Sequence, residues 1–135
     1  MVHALREAHR ILKPNGLLFD LRPGLEHRRV GLSRAGRWHP VGNMRENFSD
    51  DRAANAAVKR ILREGLFERE RHMQLDLKRY LDTLEDLDAW LAEYSKLGRH
   101  DWLVKRVQHA LHGESGKTMI VVRGPLEIGV MRKIS

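Results

Sequence analysis

Val2-His3-Ala4-Leu5-Arg6-Glu7-Ala8-His9-Arg10-Ile11-Leu12, then Lys13-Pro14-Asn15-Gly16, then Leu17-Leu18-Phe19-Asp20-Leu21, is the stretch on which the fold turns. Over residues 2–13, Val2, Leu5, Ala8, Ile11 and Leu12 recur at helical spacing with Arg6, Glu7, His9 and Arg10 between them, which predicts an amphipathic helix. Pro14 disfavours helical backbone at the residue before it, and Asn15-Gly16 tolerates positive φ, so the helix should stop in a four-residue turn. Leu17 to Leu21 is almost continuously apolar, the pattern of a strand covered on both faces. Helix, tight turn and buried strand together predict half of a parallel α/β unit.

Beyond this unit, periodicity fails from Gly24 to Asn47, although Arg29–Leu32 and Trp38–Val41 can pair as a hairpin around Ala35-Gly36. Ser49, Asp50 and Asp51 offer a cap and negative charge for a helix at about 50–64. Its buried stripe would be Ala54, Ala57, Val58 and Ile61, with Gly65 ending it. Residues 66–80 read as a half-buried strand, Met73, Leu75 and Leu77 pointing one way and His72, Gln74, Asp76 and Lys78 the other. Thr83 with Asp86 approximates a capping box before a helix carrying Leu84, Leu87, Leu91 and Tyr94. Asp101 can cap another that carries Leu103, Val104, Val107 and Leu111. Met119–Val122 and Leu126–Met131 flank Gly124-Pro125 and predict a terminal hairpin.

A chain of 135 residues, 41% hydrophobic, suffices for one domain burying roughly two-thirds of its unfolded surface. No apolar run approaches the roughly 20 residues of a membrane span, and the N-terminus lacks the features of a signal peptide, so a cytoplasmic protein is expected. With no cysteine, a disulfide scaffold, a thiolate zinc site and a cysteine nucleophile are excluded together. The formal charge is +7, and Arg22, Arg28, Arg29, Arg34, Arg37 and Arg45 face only Glu26 between residues 22 and 45. Such a stretch is either a solvated face or a patch for phosphates and other anions.

The segment Leu5-Arg6-Glu7-Ala8-His9-Arg10-Ile11-Leu12-Lys13-Pro14-Asn15-Gly16-Leu17-Leu18 resembles the part of class I S-adenosylmethionine-dependent methyltransferases in which a helix ends in L-K-P-G-G before the fifth strand. Asn15 stands where that family usually has glycine, and asparagine also tolerates the left-handed turn. The order of later elements is similar too: a variable basic insertion at 24–48, a helix, a strand, helices, and a closing strand near Arg132-Lys133. The resemblance implies an α/β fold: a partial Rossmann-like methyltransferase sheet, its last three strands plus hairpins, with flanking helices, in one truncated domain spanning 1–135. The family binds its cofactor over the first, second and fourth strands, and a glycine-rich loop lets backbone approach the ligand. No two glycines here are spaced G-x-G, so no residue is assigned to S-adenosylmethionine, which would be bound only if the missing N-terminal half were supplied. The isolated chain is expected to be inactive, and its open sheet edge to be completed by self-association as a dimer or by a complementary subunit; alternatively, the chain is a fragment of a longer active methyltransferase.

Asp20 and Arg22, at the carboxyl end of the first strand, lie where open α/β sheets place ligands; alternatively they pair with one another. Trp38 and His39 either form a stacking surface or, for Trp38, pack the hairpin on the core. With Arg28, Arg29, Arg34 and Arg37 these residues make the candidate substrate or partner face, and nucleic acid is the alternative ligand. His109 and His112 share a helix face but lack a third metal ligand, and Gly113–Thr118 lacks the first glycine of a phosphate-binding loop.

Overall fold

The computed structural model describes residues 1–94, 100–112 and 116–134. In chain order the elements are α1 (Val2–Ile11), β1 (Leu17–Pro23), β2 (Arg29–Arg34), β3 (Arg37–Asn43), α2 (Ser49–Arg63), β4 (Phe67–Leu81), α3 (Leu84–Tyr94), α4 (Asp101–Leu111) and β5 (Thr118–Lys133). Asn15, at φ 62, makes the predicted turn after α1, and the Gly16 N–H donates to the Lys13 carbonyl. The β2–β3 hairpin also forms as expected, with positive φ at both Ala35 (49) and Gly36 (73), the geometry that matches the twist of paired strands.

The five strands form an antiparallel sheet in the order β1-β5-β2-β3, with β4 pairing β5. The expectation of a parallel α/β unit is therefore corrected. β1 runs antiparallel to β5 from Leu17↔Arg132 to Pro23↔Leu126, and β2 runs antiparallel to it from Arg29↔Arg123 to Arg34↔Thr118. The terminal hairpin is corrected as well: β5 is one continuous strand through Gly124-Pro125. That dipeptide falls between the end of the β1 register and the start of the β2 register, where a residue without an N–H costs least.

Two compact units divide the chain. In the first (Met1–Leu25, Phe48–Leu75 and Pro125–Ser135), Leu5 from α1 and Ala57, Val58 and Ile61 from α2 pack with Phe67 and Met131. The predicted stripes are buried in part: Leu5, Ala57, Val58 and Ile61 are, whereas Ile11, at the end of α1, is 69% exposed. Arg6 and Arg60 both donate to the Glu64 carboxylate at the end of α2, tying α1 to α2. In the second unit (Glu26–Asn47 and Asp76–Gly124), Leu87, Trp90 and Leu91 of α3 and Leu103 and Val107 of α4 cover Val30, Leu32, Ile120 and Val122. Thr83 caps α3 through its hydroxyl, which accepts from the Asp86 N–H at 3.1 Å. Tyr94, expected in the apolar stripe, is exposed, and the stripe instead holds Trp90.

β1, expected to be covered on both faces, and β4, expected to be half-buried, are both more exposed than that. β1 buries neither face fully: Leu17, Phe19 and Leu21 are 39%, 60% and 57% exposed. β4 is exposed along nearly its whole length after Phe67, including Met73, Leu75 and Leu77. An antiparallel sheet needs a layer on only one side, so an apolar run does not by itself guarantee two.

Ala35 occupies a left-handed conformation that a Cβ disfavours. Ala35→Gly should therefore raise stability by about 0.5–1 kcal/mol, read as a higher urea midpoint at unchanged slope. The guanidinium groups of Arg60 and Arg6 hold Glu64 below the usual carboxylate range. A depressed folded-state value gives stability that is present above the unfolded value and lost as pH falls through the folded one. The stability gap between wild type and Glu64→Gln should accordingly be widest near neutrality and close in acid; a gap independent of pH would refute the assignment.

Candidate functional site

The outer edge of β1 is built by the alternation of its backbone. At one end of the β1–β5 ladder the Gly24 N–H donates to the Pro125 carbonyl, and at the other the Lys133 N–H donates to the Gly16 carbonyl, both at 2.8 Å. Hydrogen-bonding positions alternate along an antiparallel pair, so Leu18, Asp20 and Arg22 turn their backbone groups toward β5. Leu17, Phe19 and Leu21 turn theirs away, and among the described residues no strand meets them. Pro23 belongs to the outward set, so its missing N–H removes nothing from the β5 ladder. The same three residues place their exposed side chains on one face, whereas Leu18, on the other face, joins the α1–α2 core. Three free N–H groups beside an apolar flank can accept another strand.

The sequence-predicted residues divide between the two units. In the first, Asp20 and Arg22 form an ion pair at 2.8 Å, side chains 11% and 17% exposed. Arg22 also donates to the Asn55 amide oxygen on α2. Asp20 is thus held by Arg22 on the helix-covered face of β1, the local alternative read from sequence.

In the second unit two arginines of the basic stretch, Arg28 and Arg29, are met by carboxylates. Arg28 meets Glu46 at 3.4 Å and lies 5.7 and 5.1 Å from the Trp90 and Tyr94 rings. Arg29 lies 3.8 Å from Asp76, which also accepts from Arg123. Arg123 stands 4.9 Å from the centre of Trp38, whose ring edge lies against Gly31; Trp38 is accordingly a half-buried packing residue. Arg34 donates to the Ala110 carbonyl of α4. Arg37 and His39 are exposed on β3.

The sequence reading missed a third arginine–aromatic group in this unit. Arg45, after β3, and Arg106, on α4, lie 5.4 and 5.5 Å from the centre of the Trp102 ring. Trp102 and Arg106 are one helical turn apart, a signal visible in sequence, but Arg45 reaches the ring only through the fold. His100 is buried immediately before α4, and its Nε2 accepts the Arg45 N–H at 3.1 Å.

Among the described residues no group of three or more His, Cys, Asp or Glu side chains gathers at metal-binding distance, and His109 and His112 acquire no third ligand. Three residues of the loop at Gly113–Thr118, 113–115, lie outside the described residues.

Arg22→Ala leaves Asp20 largely buried without its cation and should cost about 2–3 kcal/mol in denaturant unfolding. Arg37→Ala, at an exposed strand position, should stay within about 0.5 kcal/mol of wild type. Equal effects would contradict the division between structural and exposed arginines.

No protein-family model matches the chain, and no curated protein matches it.

Proposed function

We propose that these residues are the back portion of a methyltransferase-like α/β domain, inactive by itself and completed by strands from outside residues 1–135. The observation that carries the proposal is the outer edge of β1, where Leu17, Phe19 and Leu21 combine outward backbone groups with exposed apolar side chains. Several features agree with it. Asn15 takes the left-handed turn that the resembling family fills with glycine. The element order of helix, turn, strand, insertion, helix, strand, two helices and closing strand follows the family's. The closing strand β5 lies directly beside β1. The antiparallel sheet of this chain then forms the end of a larger sheet, and β1 becomes an interior strand only when a further strand adds to it.

The residues present do not fit S-adenosylmethionine. The nearest approach to a glycine-rich loop, around Gly113 and Gly116, has no G-x-G spacing. No step of methyl transfer is assigned to a side chain of this chain; its role is to supply the sheet end and the α1–α2 layer behind β1.

Amide hydrogen exchange tests the edge directly. In dilute monomer, the Leu17, Phe19 and Leu21 amides should exchange far faster than those of Leu18, Asp20 and Arg22. They should become protected when size-exclusion chromatography with light scattering shows association with a second copy or a complementary chain. Phe19→Lys should abolish that association. A monomer that persists at high concentration with all six amides protected would overturn the proposal, as would tight, stoichiometric S-adenosylmethionine uptake by the isolated chain in calorimetry.

A further inference from the structure

We propose that Arg45, Arg106 and Trp102 form a binding site for a phosphate group. The inference rests on a comparison within the second unit, where three aromatic clusters are each met by arginine. At Trp90 and Tyr94 the arginine is Arg28, and Glu46 neutralises it. At Trp38 it is Arg123, paired with Asp76. At Trp102 two guanidinium groups approach one indole, and among the described residues neither meets a carboxylate.

Two cations held beside one ring repel each other, and only part of that repulsion is offset by the ring's quadrupole. An oxyanion that takes the N–H donors of either guanidinium relieves it. A phosphate suits the position because each guanidinium offers paired N–H donors at the spacing of phosphate oxygens. The neighbouring carboxylates do not take this role. Glu46, next to Arg45, is engaged by Arg28 and by the Arg28 N–H, and Asp101 lies one helical turn from Lys105.

The backbone that carries the site is fixed by packing within the unit. A Cβ at Gly42 would come within 2.9 Å of Leu103 Cδ1, 3.4 Å of Trp102 Cζ3 and 3.7 Å of Arg106 Nη1. The bare backbone of β3 is what allows α4 to lay Trp102 and Arg106 against it. On the other side, the His100 ring fixes the Arg45 backbone. Because Nε2 accepts that bond, a neutral ring carries its proton on Nδ1, which is buried and without a partner among the described residues. Each guanidinium lies within 5.5 Å of one ring centre, which restricts it more than an arginine with no such contact, so the site should bind an anion more tightly than an isolated exposed cation of the chain.

The phosphate can come from a nucleic-acid backbone or from a small phosphorylated molecule, and the measurement separates these. Binding of inorganic pyrophosphate by calorimetry and of a fluorescein-labelled oligothymidine by anisotropy is followed in 50 mM salt. Arg45→Ala and Arg106→Ala should each weaken binding roughly tenfold or more, while Arg37→Ala, which removes the same charge elsewhere, should change it less than about twofold. Displacement of the oligonucleotide by pyrophosphate, with a salt slope that falls by about 1 in each site variant, assigns the site to nucleic acid. Pyrophosphate binding without oligonucleotide binding assigns it to a small ligand. Circular dichroism matching wild type confirms that the exposed substitutions leave the fold intact, and Arg45→Lys should recover part of the affinity. Binding lost equally in Arg37→Ala, or no binding of either probe, would overturn the proposal.

Discussion

Every other strand except β3 depends on the hydrogen bonds of β5. β1 and β2 pair with successive parts of it, β4 pairs with it as well, and β3 is reached only through β2. The backbone groups of a buried strand must be paired or they cost free energy comparable to a lost hydrogen bond, so the last 16-residue strand satisfies the sheet that the earlier ones begin. Its two ends enter different cores: Ile120 and Val122 pack under α3 and α4, and Met131 packs under α1 and α2. A chain whose first strand pairs with its last has high contact order, and its folding should be governed by that closure.

This dependence explains which features were legible in the sequence. Leu5, Ala57, Val58, Ile61, Leu87, Leu103 and Val107 are buried as helical periodicity predicted, because a helix chooses its inner face from residues three and four apart. The Asn15-Gly16 turn, the Thr83 cap and the Ala35-Gly36 hairpin are equally local and equally readable. Strand direction is not local. Leu17–Leu21 has the composition of a two-sided buried strand whether its neighbour is parallel or antiparallel, and only its distant partner at 128–132 decides. Gly124-Pro125 misled for the same reason: in isolation the pair reads as a turn, but between two ladders it is a tolerated gap.

The candidate site was less legible, since charge counts do not reveal pairing. Six arginines against one glutamate between residues 22 and 45 suggested a continuous cationic face. Folding brings carboxylates to several of them from far along the chain: Glu46 to Arg28 and Asp76 to Arg29, with Asp20 beside Arg22. What remains is smaller and differently composed. Arg45 was one member of the basic run, and the Trp102 and Arg106 that accompany it lie more than fifty residues later, on α4.

The sheet's edges are not equivalent, and their difference bears on what the β1 edge is for. Isolated edge strands are normally protected by charge or proline against adventitious pairing. β4 carries Glu68, Arg69, Glu70, Arg71 and His72 in succession, and β3 carries an exposed Pro40 in its interior. β1 has Pro23 only as its final residue, and its one carboxylate, Asp20, is turned to the helix-covered face and neutralised by Arg22. The outward positions Leu17, Phe19 and Leu21 are therefore uncharged, apolar and able to donate. Selection against aggregation would readily place a lysine at Phe19 if that edge stayed in water, since the position packs into neither core. This contrast between the β1 edge and the charged or proline-bearing β4 and β3 edges is what the proposed added strand rests on.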